Sequence, residues 1–99
     1  MPAHRIAQIE WHDPAKATEY RERLGPTLAP YGGRTVYAGE PLVLEGKWYP
    51  GRAVLVEFPN MAALRRWYSS KEYAPPITLR NEGSTANLIA IEGTPPGRS

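Results

Sequence analysis

Arg52-Ala53-Val54-Leu55-Val56-Glu57-Phe58-Pro59-Asn60-Met61-Ala62-Ala63-Leu64-Arg65-Arg66-Trp67-Tyr68 is the stretch whose reading decides the fold. Its first half alternates, with Val54, Val56 and Phe58 on one side and Ala53, Leu55 and Glu57 on the other. That is the period of a strand covered on at least one face. Pro59 has no amide to donate and ends the ladder, and Asn60 is placed to cap a helix. Met61, Leu64 and Tyr68 then recur at spacings of three and four, with Trp67 beside them. A strand running straight into an amphipathic helix is half of an α+β unit.

Upstream, Arg5 to Trp11 alternates as a first strand, Ala7, Ile9 and Trp11 against Ile6, Gln8 and Glu10. Asp13-Pro14 is a helix start, since Asp accepts from an orphan amide and Pro needs no donor in the first turn. Ala17, Tyr20, Leu24, Leu28 and Tyr31 give that helix one apolar side. Gly25-Pro26 predicts a kink or break in it, with a last helical piece ending near Pro30. Tyr31-Gly32-Gly33 is a turn. Arg34 to Ala38 reads as the second strand and Leu42 to Glu45 as a strand-like extension of it. The loop from Gly46 to Gly51 carries Trp48 and Tyr49. Downstream, Ser69 to Tyr73 turns, Pro75-Pro76 argues against a helix except for a short one over Ile77 to Asn81, and Ala86 to Glu92 is the last strand.

The order is β-α-β-β-α-β, an α+β sandwich with the ferredoxin-like split arrangement. The expectation is a central pair of parallel strands, the first and third, with both helices on one face. The helix face is read as Ala7, Ile9, Trp11, Val54, Val56, Phe58, Ile89 and Ile91. The other face is mixed, Ile6, Leu55, Leu88 and Ala90 beside Gln8, Glu10 and Glu57. A half-apolar open sheet calls for a cover. Two copies meeting face to face supply one and enclose a polar-lined cavity, so a homodimer is expected.

Ninety-nine residues suit one domain, here 1–93 with a flexible 94–99 tail. Twelve basic and ten acidic residues leave a charge of +2 without any block of one sign, which argues against nucleic acid as a partner. No run is long and apolar enough to span a membrane, and Met1 to Arg5 lacks the apolar core of a signal peptide. There is no cysteine, hence no disulfide, thiol nucleophile or thiolate metal site. A cytoplasmic protein is expected.

The ordered set Asp13-Pro14 with Tyr20, Tyr31-Gly32-Gly33, Leu44-Glu45-Gly46, Glu57-Phe58-Pro59, Trp67-Tyr68, Ser70, Glu72-Tyr73, Leu79-Arg80 and Glu92-Gly93 resembles the DUF1330 proteins. The resemblance runs from the first strand to Gly93. It implies a dimeric α/β barrel of the ferredoxin-like superfamily, and implies no particular activity. Ala74-Pro75-Pro76 departs from it, standing where the family continues into a short helix.

Chemistry, if present, is expected first at Glu10 and Glu57. As ends of parallel neighbours on the open face, the two carboxylates would share a partly dry cavity and move protons as acid and base. The plainer alternative is that each ends a strand near solvent or pairs with Arg34 or Arg52. Glu92 is placed at the opposite end. His12, after Glu10, could serve as base or be an exposed loop residue, and His4 reads as surface. Gln8, Arg34, Tyr37, Trp48 and Arg52 are the substrate-binding candidates, with Tyr49 at the same pocket mouth; aromatic loops also serve as packing. Trp67, Tyr68 and Tyr73 read as core or interface. Two separated histidines argue against a metal, and no histidine lies on a predicted helix to ligate haem, so no cofactor is expected. Nucleophile-elbow and phosphate-loop patterns are missing, and Arg65-Arg66 is too short for a nucleic-acid patch. The expectation is a homodimer binding a small organic molecule in a polar-lined cleft. The alternatives are, by analogy with the superfamily that the resemblance implies, a cofactor-independent isomerase, lyase or monooxygenase using Glu10 and Glu57, with or without His12, or a purely structural protein.

Overall fold

In a computed structural model, which describes residues 1–48 and 51–93, the chain forms β1 (Ala3–Trp11), α1 (Pro14–Leu28), β2 (Arg34–Gly39), β3 (Arg52–Phe58), α2 (Met61–Tyr68), α3 (Ala74–Gly83) and β4 (Ser84–Glu92). Tyr49 and the expected 94–99 tail lie outside the described residues. Both helix starts form as their sequences dictate. Asp13 accepts from the amides of Ala15 and Lys16 at 3.0 and 3.2 Å, and Asn60 accepts from Ala63 at 2.8 Å. Pro26 does not break α1, which passes through it and tightens into a 3-10 turn at Ala29–Tyr31. Glu22, whose carbonyl loses its donor at Pro26, is exposed, so that carbonyl can turn to water.

The sheet order is β2-β3-β1-β4 and every neighbouring pair is antiparallel. This corrects the expected parallel pairing of β1 with β3. The α1 crossover returns β2 in the same direction as β1, and β3, inserted between them, must oppose both. His4 therefore faces Glu57 across the ladder, and Ile9 faces Arg52.

The register also exchanges the two sides of β4. Residues directly opposite in an antiparallel pair share a face. Leu88 lies opposite Ala7 and Ala90 opposite Arg5, on the helix side; Ile89 lies opposite Ile6 and Ile91 opposite His4, on the open side. Ile89 and Ile91 are accordingly 56% and 48% exposed. The open face keeps Ile6 and Leu55 and carries Ile89 and Ile91 in place of Leu88 and Ala90.

Two further expectations change. Leu42 to Glu45 is an exposed arm without strand pairing. Ala74-Pro75-Pro76 opens α3 instead of preventing it, because the first turn of a helix needs no donor from proline. The helical continuation that the family resemblance calls for is thus present. The end of α3 is docked by the Gly83 carbonyl, which accepts from His12 and Asp13 amides at 2.8 and 3.2 Å.

The core lies between the sheet and the helices. Ala3, Val56 and Phe58 meet Tyr20, Leu24, Leu28, Ala63, Leu64, Trp67 and Tyr73. Trp67 stacks on Tyr73 with ring centres 4.0 Å apart and meets Phe58 at 5.1 Å. Its indole N–H donates to Thr27 Oγ1 at 3.0 Å, and that hydroxyl donates on to the Leu24 carbonyl at 2.6 Å. The buried Trp67 N–H and Thr27 hydroxyl are thereby both satisfied.

Candidate functional site

The expected carboxylate pair does not assemble. Glu57 sits opposite His4, and Glu10 lies six residues further along β1, which at about 3.4 Å per residue separates the two by roughly 20 Å. Glu57 is also occupied. Arg34 Nε and Nη2 donate to its Oε2 at 3.1 and 2.8 Å, and His4 Nε2 donates to Oε1 at 3.1 Å. The Arg34 hydrogen bonds hold its carboxyl below the usual carboxylate range; burial opposes this and His4 reinforces it. A lowered, doubly partnered carboxylate is a poor general base. Pairing with Arg34 is the plainer alternative raised by the sequence.

At the far end of the sheet, His12 Nε2 shares a 2.9 Å hydrogen bond with Thr85 Oγ1 and lies 3.9 Å from Glu10. Glu10 and His12 do come together, on an exposed edge. Glu92, expected at the end opposite Glu57, instead lies opposite Ala3 at the same end, on the helix side, where it accepts from the Met61 amide at 3.2 Å.

The substrate-binding candidates are scattered. Gln8, opposite Ala53 and Asn87, lies on the open face, as does Tyr37, which is 73% exposed. Arg34 shares that face. Arg52, opposite buried Ile9, is on the helix side and borders a 230 Å³ hollow shared with Trp11, Tyr20 and Thr35. Trp48 stands on the exposed arm beside Pro41–Glu45. Trp48 and Arg52 thus border different hollows, on the arm and on the helix side.

The sequence reading passed over Arg5. It has the parity of Ala7 and Ile9, so β1 carries its side chain into the core, where it is only 2% exposed. Ala3 and Ala7 beside it and Ala90 opposite are small, and they leave the space that a long side chain fills. The guanidinium lies 5.4 Å from the Trp67 ring centre, and Nη2 reaches Tyr20 Oη at a long 3.4 Å. Among the described residues, Nε and Nη1 are buried without any partner, and no carboxylate pairs with the group. Tyr20 and Tyr73 share a 2.6 Å hydrogen bond between their hydroxyls. Burial raises the Tyr73 phenol well above its ordinary range, with Tyr20 adding to this and Arg5 opposing it. Tyr73 is therefore a neutral dipole and supplies no counter-charge. Arg80, 5% exposed on α3, also leaves its Nε unpartnered.

Arg5 underlies a groove of about 410 Å³ between α2 and β4, walled by Met61, Leu64, Tyr68, Leu88, Ile89 and Ala90, with Arg65 at its border. The walls are largely apolar, where the sequence reading expected a polar lining. Among the described residues, no group of three His, Asp or Glu side chains is placed to hold a metal ion, and no helix is long and apolar enough to cross a membrane.

These features define a ferredoxin-like α+β sandwich with one bare sheet face and a groove under α2. The chain belongs to the DUF1330 family, described as a domain of unknown function, which it matches over residues 2–94. Its fold is similar to that of the RPA0582 protein of unknown function from Rhodopseudomonas palustris, at 20% identity and a TM-score of 0.76, covering 96% of this chain and 84% of that one. A dimeric ferredoxin-like protein of unknown function from Jannaschia sp. CCS1 matches at 14% identity and a TM-score of 0.69, covering 94% and 100%. SnoaB, a cofactor-independent oxygenase from Streptomyces nogalater, matches at 16% identity and a TM-score of 0.66, covering 99% and 98%. At these identities the likeness shows the fold. No curated protein matches the sequence.

Proposed function

We propose that the protein is a cytoplasmic homodimer, joined through its open sheet faces, that binds a small organic molecule in the groove between α2 and β4. The observation that carries the binding reading is a ligand-sized concavity with apolar walls and a buried, incompletely partnered guanidinium beneath it. Dimerisation is supported by the exposed Ile89 and Ile91 on the bare face and by the dimeric state of the similar Jannaschia protein. Gln8, Arg34 and Tyr37 then belong to the cavity between the two sheets. Isomerase, lyase or monooxygenase chemistry that needs Glu10 and Glu57 together is disfavoured, because the two stand at opposite ends of the sheet.

Fragment titration of the full chain, followed by amide and methyl NMR, tests the binding reading. Binders should displace the resonances of Met61, Leu64, Leu88 and Ala90 together. A diverse fragment set that never perturbs this cluster would refute it.

A further inference from the structure

Within the reading of the groove as a ligand site, its chemistry narrows the ligand further. Burying a guanidinium costs several kcal/mol unless charge and hydrogen bonds repay it. Arg5 receives only a ring face and one long hydrogen bond, and its Nε and Nη1 stay unpartnered. Such groups are rare in folded proteins, and a bound ligand is one of the things that accounts for them. Among the described residues lining the groove none is a carboxylate, the nearby Glu92 being bonded to the Met61 amide, and the two charged lining residues, Arg5 and Arg65, are both cations. A cationic ligand would be repelled. A sugar would find few acceptors and mostly aliphatic wall.

We infer that the groove takes an amphipathic carboxylate, with the anionic head on Arg5 and an apolar body along Leu64 and Leu88. One buried guanidinium matches one negative charge better than the two charges of a phosphate monoester. The volume, near the lower end of the roughly 300–1,000 Å³ typical of ligand pockets, suits a medium-length chain or a single ring system. Arg5 lines the groove but is only 2% exposed, so the head reaches it as a wall side chain moves aside. Met61 is suited to this, being unbranched and only partly buried at the start of α2.

Calorimetric titration of the full-length protein with octanoate, octanol and octylamine tests the assignment. Octanoate should bind at least tenfold more tightly than either analogue, and Arg5→Met should remove that preference over octanol. Where Arg5→Met does not fold, the Arg5 Nε–Hε resonance of the native protein replaces it, and should move with octanoate and stay still with octanol. Equal binding of octanoate and octanol, or indifference to Arg5→Met, would overturn the carboxylate assignment and leave the groove reading standing. If octanoate binds and displaces open-face resonances instead, the assignment to Arg5 is overturned. Failure of all three ligands overturns the amphipathic class; the fragment experiment above decides separately whether the groove binds anything.

Discussion

Replacing Arg5 with methionine should leave the protein as stable as before or make it more stable, an unusual outcome for a core substitution. The change removes a cation–π contact with Trp67, about 1–2 kcal/mol when desolvated. It also removes the 3.4 Å hydrogen bond to Tyr20, at that length no more than about 1.5 kcal/mol, and Tyr20 keeps its 2.6 Å bond to Tyr73. Against this, two buried N–H groups without partners disappear, each costing roughly 1–3 kcal/mol. Taken at their bounds these run from about 1.5 kcal/mol against the variant to about 5 in its favour, centred on about 2 in its favour, in line with apolar replacement of other buried ions. For a domain of this size each kcal/mol moves Tm by about 4–8 °C. Thermal and urea unfolding should be followed by circular dichroism at matched protein concentration, since dimerisation makes Tm depend on concentration. A loss of about 3 kcal/mol or more is what breaking a partnered buried ion gives, and would refute the description of Arg5 as unpartnered.

Three further outcomes follow. Gly33→Ala places a Cβ 2.5 Å from the Phe58 ring, so overpacking should cost about 1–3 kcal/mol in urea unfolding, and an unchanged midpoint would contradict the packing of the β2 entry. Glu57 should titrate below the ordinary carboxylate range in a carboxyl-carbon NMR titration, and Arg34→Ala should move its midpoint upward. The sign follows from linkage: a carboxyl lowered in the folded state adds stability above its unfolded pKa, and that contribution is lost as pH falls through the folded value. Ile89→Arg adds charge to an exposed position on the open face, so light scattering should show a monomer with an unchanged fold, while a persisting dimer would place the interface elsewhere.

Local order was legible wherever one residue type settles one backbone choice. Asp13 and Asn60 announce their helices because a side-chain acceptor beside orphan amides has few other uses. Strand β3 alternates between apolar Val54, Val56, Phe58 and a mixed side, so its faces can be read directly. Strand β4 cannot be read that way, because Leu88 and Ala90 are as apolar as Ile89 and Ile91, and period two then carries no direction. Its register with β1 decides, and register is a property of two strands. The antiparallel β1–β3 pairing was available from topology, as the consequence of a crossover followed by an inserted strand, and it separates Glu10 from Glu57. Pro75-Pro76 misled because proline forbids a helix interior and favours a helix start. Arg5 carried a signal in its parity with Ala7 and Ile9. A cation at a strand's beginning is ordinarily solvated, so the signal acquires meaning only when α2 and Trp67 close above it.

If the guanidinium beneath α2 is where the ligand binds, a crystal structure of the full chain grown with octanoate should show it there. A carboxylate oxygen is expected about 2.7–2.9 Å from Arg5 Nε or Nη1, with the chain lying along Leu64 and Leu88. Octanoate seated on the open sheet face, or an unoccupied groove at saturating ligand, would contradict it.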